Sequence, residues 1–166
     1  MLPIKDNIRS SSFPIVNWIL IIVNALVFFF ELSLSDGQLQ TFIFTFGLVP
    51  ANFTPLSVPA WIPVFTHMWL HGGWLHFLSN VWILFIFGDN VEDRMGSLRY
   101  FIFYLLGGAA AGLLQTYLSS NATAPAIGAS GAIAAVMGAY FLFYPRAGVI
   151  TLIPLFIIPW FVTIPA

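Results

Sequence analysis

The chain has 166 residues, 60% of them hydrophobic and only 7% charged, with five Lys+Arg against six Asp+Glu. Soluble domains carry about a quarter charged residues, so this composition, with a mean hydropathy of +0.95, excludes a free aqueous globule and a disordered chain alike. The net charge of −1 provides no basic field for nucleic acid, and the absence of cysteine excludes disulfides, thiolate metal sites and a cysteine nucleophile. What remains is an integral membrane protein, long enough for four or five spans of about 20 residues.

The first apolar run, Phe13 to Leu34, is closed by Glu31, Ser35, Asp36 and Gly37 and is too long for a signal peptide. A connection rich in Phe, Trp and Pro follows from Ser35 to Gly72. Its aromatics predict a segment half-sunk in the interface. The second span is expected from Gly73 to Val91, ended by the acidic cluster Asp89, Glu92 and Asp93. The third extends from Leu98 to Leu118, and the fourth from Ser130 to Tyr144, stopping at Pro145-Arg146. The apolar stretch Ala147 to Ala166 carries Pro154, Pro159 and Pro165, which break a helix repeatedly. It is expected to be a membrane-hugging loop. The predicted fold is therefore all-α, a transmembrane bundle of four complete spans with an interfacial C-terminal segment.

Lys5, Arg9, Arg94, Arg99 and Arg146 all fall on one side of this arrangement, while the long first loop and the 119–127 loop carry no Lys or Arg. The positive-inside rule makes the basic side cytoplasmic, with the N-terminus inside and both of those loops outside.

The start of the fourth span reads Gly128-Ala129-Ser130-Gly131. A serine entering a helix sits beside free backbone N–H groups and the positive dipole end, which suits a nucleophile whose attack builds an oxyanion. An ordinary N-cap serine, with small neighbours for close helix packing, fits the same four residues. Span geometry favours chemistry. Ser130 lies about 15 residues, or roughly 22 Å, from the cytoplasmic end of its span, against a hydrocarbon core of about 30 Å. Irregular backbone at that depth must be buried in protein or line a hydrated cavity.

On the second span His76 and Asn80 share one helix face, and His76 lies at a matching depth. They form either an interhelical polar pair or part of a site. The histidines at 67 and 71 have metal-ligand spacing, but Met68 stands where a zinc protease needs its glutamate. No metal and no cofactor are expected.

The run His67-Met68-Trp69-Leu70-His71-Gly72-Gly73-Trp74-Leu75-His76 through Asn80, then Phe87-Gly88-Asp89-Asn90-Val91-Glu92-Asp93, resembles the second span of rhomboid intramembrane serine proteases. Gly128-Ala129-Ser130-Gly131 is similar to their Gly-x-Ser-Gly motif, and the likeness extends over essentially the whole chain. The resemblance implies that Ser130 is the nucleophile, and that His76 and Asn80 join the Ser130 backbone N–H in an oxyanion hole. It implies transmembrane proteins as substrates, cut without a cofactor, and residence in the lipid bilayer, here the bacterial plasma membrane. Trp61 is similar to the tryptophan of the family's Trp-Arg pair, although Ile62 replaces the arginine. Glu92 and Arg94 match residues at the foot of the second span, where the resemblance implies a structural role.

The family's dyad histidine lies on a sixth span, whereas the histidines of this chain are His67, His71 and His76. The expected organisation is a single rhomboid-like membrane domain, 1–166, truncated before the fifth and sixth spans and lacking its general base. The competing expectations are an inactive rhomboid-like protein that binds transmembrane helices, and a channel or transporter subunit.

Overall fold

The computed structural model describes residues 2–155 and 158–165. Its elements run β1 (Leu2–Asp6), α1 (Ile15–Ser33), α2 (Asp36–Phe46), α3 (Ile62–Thr66), α4 (Trp74–Met95), α5 (Ser97–Leu118), α6 (Ser130–Phe143), β2 (Gly148–Leu155) and β3 (Ile158–Pro165). Short 3₁₀ turns at Pro50–Asn52, Val58–Trp61 and His67–Trp69 punctuate the first loop.

Two helices, α1 and α5, are long and apolar enough to cross a bilayer on their own. The segment Val58–Trp69 and helix α4 qualify together as a third, bent by 83° at the break between them. Helix α6, with 14 residues, is a shorter apolar helix of about 21 Å. The chain is an integral membrane protein, with two or three candidate spans against the expected four.

Helix α1 shows how its sequence sorts lipid from protein. Ile19, Ile22 and Leu26 are exposed, as a lipid-facing stripe must be, while Asn17, Asn24 and Glu31 are buried at seven-residue intervals. Those polar groups face the bundle because each unsatisfied one would be costly in hydrocarbon. Tyr100 donates its hydroxyl to Asn17 Oδ1 at 2.8 Å, and Asn17 Nδ2 donates to the Leu84 carbonyl at 3.1 Å.

Helix α6 packs against both α4 and α5. Small residues permit the approach to α5: a Cβ on Gly107 would stand 2.6 Å from Ala135 Cβ, and one on Gly131 would collide with Ala111. Dispersion rather than hydrophobic expulsion holds helices together in lipid, so this closeness is what the glycines contribute. The core beneath is built from Leu20, Met68, Leu84, Phe87, Tyr104, Val136 and Tyr140.

The acidic cluster at the foot of the second span does not end its helix. Glu92 instead caps α1, accepting from the Val16 N–H at 3.0 Å, the Asn17 N–H at 2.7 Å and Ser97 Oγ at 2.6 Å. Asp93 accepts from the backbone N–H groups of Ser11 and Ser12 at 3.0 Å each. With those carboxylates occupied, α4 runs on to Met95 and stops at Gly96, where φ is +82°. Arg94 is exposed at this foot.

The fold is not all-α, because its two ends form an antiparallel sheet in the order β1-β2-β3. The C-terminal segment is a β-hairpin rather than a loop, with Pro154 opposite Pro159 and Val149 opposite Ile164. Proline ends a helix but is compatible with extended backbone, and the β-branched residues at 149–151 and 162–164 favour strands. Ala166 lies outside the described residues. The first loop likewise contains a helix, α2, started by a capping box in which the Ser35 N–H donates to Gln38 Oε1 at 3.0 Å.

Candidate active site

Ser130 is the first residue of α6 and is exposed. As the first helical residue it brings a backbone N–H with no intrahelical partner. The turn that delivers it depends on Gly128, whose φ is +119° and whose N–H donates to the His67 carbonyl at 2.8 Å. Glycine is required there twice over. L-residues avoid that backbone region, and a Cβ would stand 2.5 Å from both Cε1 and Nε2 of His76. The His76 ring is thus seated directly on Gly128, two residues before the serine. The structure brings these separated motifs together.

The hydrogen bonds fix the tautomer of His76. The Gly72 N–H donates to His76 Nδ1 at 3.3 Å, so Nδ1 accepts and the neutral ring carries its hydrogen on Nε2. The nitrogen lying over Gly128 is therefore a donor. One helical turn later, Asn80 is buried, and its Nδ2 donates to nothing among the described residues. An unpaired buried donor costs about 1–3 kcal/mol, a cost that an arriving acceptor would remove.

Ser130 opens on a cavity of about 290 Å³ whose walls include His67, Gly112, Gln115, Gly128 and Gly131. His67 Nδ1 lies 3.0 Å from the Pro63 carbonyl, which can only accept, so Nδ1 carries the hydrogen and Nε2 is left as an acceptor. That ring packs against α5 at Gly112, where a Cβ would stand 2.7 Å from its Cε1. Sequence reasoning weighed His67 only as a metal ligand and passed over Gln115. The available signal for Gln115 was a polar amide within an otherwise apolar helix.

The first loop holds the cavity's other wall. Leu48 and Ala126 exchange both backbone hydrogen bonds, at 3.0 and 2.8 Å, and the Ala51 N–H reaches the Ala122 carbonyl at 3.0 Å. Trp61 lies within this loop, donating Nε1–H to the Pro55 carbonyl at 3.1 Å and meeting Phe53 edge-on. His71 is buried between Phe28, His76 and Phe77, and its backbone N–H bonds the Glu31 carboxylate at 3.1 Å. Trp61 and Glu92 thus sit in loop and helix-capping contacts away from Ser130.

The sequence profile of the rhomboid domain matches residues 59–165, which takes in both motifs and the helices α5 and α6 that line the cavity. The chain belongs to the rhomboid family. Among its relatives, a putative rhomboid protease, YdcA, from Bacillus subtilis (strain 168) is 30% identical over 129 residues, covering 77% of this chain and 61% of that protein. The rhomboid protease GlpG of Haemophilus influenzae is 35% identical over 77 residues, 46% of this chain and 38% of its own length. The chloroplastic rhomboid-like protein 11 of Arabidopsis thaliana is 37% identical over 77 residues, covering 46% of this chain and 27% of that protein. The chain therefore spans less than two thirds of the length of each of these relatives. Rhomboid proteases include intramembrane serine peptidases.

Proposed function

We propose that this rhomboid is an intramembrane serine endopeptidase that cuts transmembrane proteins, with Ser130 as nucleophile. The observation that carries this reading is the seating of His76 on Gly128, two residues before the serine, with its Nε2–H donor over that glycine. Ser130 Oγ attacks the carbonyl carbon of the scissile peptide and the carbonyl oxygen takes up the charge. The Nε2–H of His76, the Nδ2–H₂ of Asn80 and the Ser130 backbone N–H then stabilise that oxyanion. Collapse of the tetrahedral intermediate expels the amine, which takes a proton from the conjugate acid of the base, and water hydrolyses the acyl-enzyme.

His76 is poorly suited to be that base, because its nitrogen over Gly128 already bears a proton. The general base is proposed, following the family resemblance, to be a histidine outside residues 1–166. On this reading 1–166 is one rhomboid-like membrane domain, with α4 and α6 completing four spans in the bacterial plasma membrane and no cofactor taking part. The active face opens outward. Cysteines placed at 119–127 should react with impermeant thiol reagents from outside, and reaction only from the cytoplasmic side would reverse that orientation.

A serine-reactive phosphonate tests the nucleophile. Labelling of the protein supplied with downstream spans that carry a histidine, lost in Ser130→Ala at unchanged helix content, is the expected result. Equal labelling of the Ser130→Ala variant would refute the assignment. No labelling even with those spans supplied would favour a rhomboid that binds transmembrane helices without cutting them.

A further inference from the structure

A second cavity, of about 530 Å³, lies at the opposite end of the bundle from Ser130, between the β1–α1 connection and the flank of α4. Its polar wall carries Lys5, Arg9, Ser10 and Asp89, and its apolar wall is formed by Trp18 and Phe85. Both cations are exposed side chains, and neither has an ion-pair partner among the described residues. Asp89 Oδ1 accepts from the Asn90 N–H at 2.8 Å and from Asn90 Nδ2 at 3.1 Å, and the Ser10 hydroxyl on the same wall also bonds the carboxylate, which fixes it there. The other acid there, Asp6, is committed elsewhere, accepting from Tyr140 Oη at 2.6 Å and Asn90 Nδ2 at 2.9 Å.

The apolar wall continues onto the surface that faces lipid. Trp18 and Phe85 meet edge-on at 5.9 Å and stay 38% and 50% exposed on the outward faces of α1 and α4. The rim is closed by β1, which Trp82 Nε1–H ties down through the Pro3 carbonyl at 2.7 Å. The cavity is thus doubly cationic at the aqueous end, carries the half-exposed Asp89 carboxylate on its wall, and is open along an aromatic face to the bilayer. Basic pockets at the ends of transmembrane helices bind lipid headgroups, and tryptophan favours the same depth.

We infer that this cavity is a binding site for one phospholipid with a primary ammonium headgroup, of the phosphoethanolamine class. The phosphodiester is held by Arg9 and Lys5, the ammonium by Asp89, and the acyl chains lie along Trp18 and Phe85. Arginine suits the phosphate because its fork matches two oxygens at once. The carboxylate discriminates between headgroups. A primary ammonium donates hydrogen bonds to it, whereas a quaternary choline has no N–H and a phosphoglycerol brings no cation.

The test is native mass spectrometry of the delipidated protein in detergent. It is titrated with phosphatidylethanolamine, phosphatidylcholine and phosphatidylglycerol of identical chains. One ethanolamine lipid should be retained about tenfold or more tightly than the choline lipid. Arg9→Gln, in an exposed connection, should weaken all three lipids. Asp89→Asn, with its helix content verified by circular dichroism, should abolish the preference for ethanolamine over glycerol while leaving binding of the glycerol lipid intact. Equal retention of the three lipids, or a preference unchanged in both variants, would overturn the site. Displacement of the bound lipid by soluble phosphoethanolamine or inorganic phosphate would also overturn it, because the ligand would then be a free phosphate compound.

Discussion

At Gly128 a single missing methyl group joins the two motifs, since any Cβ would occupy the place of the His76 ring. The ring in turn has its proton placed by the Gly72 N–H, and the neighbouring Asn80 amide is held ready without an acceptor. Donors that are buried and unpaired before substrate arrives need no reorganisation when the oxyanion forms, which is where electrostatic catalysis gains most. His76→Ala and Asn80→Ala are therefore expected to lower kcat roughly a hundred- to a thousandfold each, with KM for a transmembrane reporter little changed. Loss expressed mainly in KM would make these side chains substrate-binding groups rather than oxyanion donors.

Strand β1 acts at the next scale as a clasp on the foot of the bundle. It pairs with β2 directly after the serine-bearing helix, and it inserts Asp6 between Tyr140 of α6 and Asn90 of α4. Burial pushes the Asp6 carboxyl above its ordinary value of 3.8, only partly offset by the hydrogen bond from Tyr140. The unfolded chain then ionises at lower pH than the folded one. The stabilising contribution of Asp6 is complete below its ordinary value and is lost as pH rises through the raised one. Thermal unfolding scanned from about pH 4 to 7 should show this decline, and Asp6→Asn should flatten it relative to the parent protein. An identical pH profile in the two proteins would mean that Asp6 does not report on folding.

For the whole molecule, the chemistry turns on the base. An unassisted serine hydroxyl is a weak nucleophile near neutral pH. Within the chain, His76 presents a donor over Gly128, while His67 keeps its acceptor Nε2 on the ring that lines the cavity. Residues 1–166 in detergent are expected to show no turnover of a transmembrane reporter, and activity should appear when downstream spans bearing a histidine are supplied. Turnover by 1–166 alone, abolished by His67→Ala, would place the base in the first loop. Loss on His76→Ala with His67→Ala active would instead assign it to His76.

The amino-acid sequence by itself determined the membrane setting, the helical runs and both motifs, because hydropathy and the polar punctuation around Gly128-Ala129-Ser130-Gly131 are local properties. The equal-depth count for His76 and Ser130 ended the second span at Val91, whereas α4 runs on to Met95; the seating of His76 on Gly128 is what brings the two motifs together. Only the tertiary structure decided where the acidic residues of α4 go: Glu92 lies 76 positions from the Val16 N–H it caps. It likewise decided that the two prolines facing each other in β2 and β3 belong to a sheet that β1 joins from the far end of the chain. Strand pairing and capping at such separations depend on partners that no local window contains. The cavity walls supplied by His67 and Gln115 belong to the same class, because they meet only when α5, α6 and the first loop have packed.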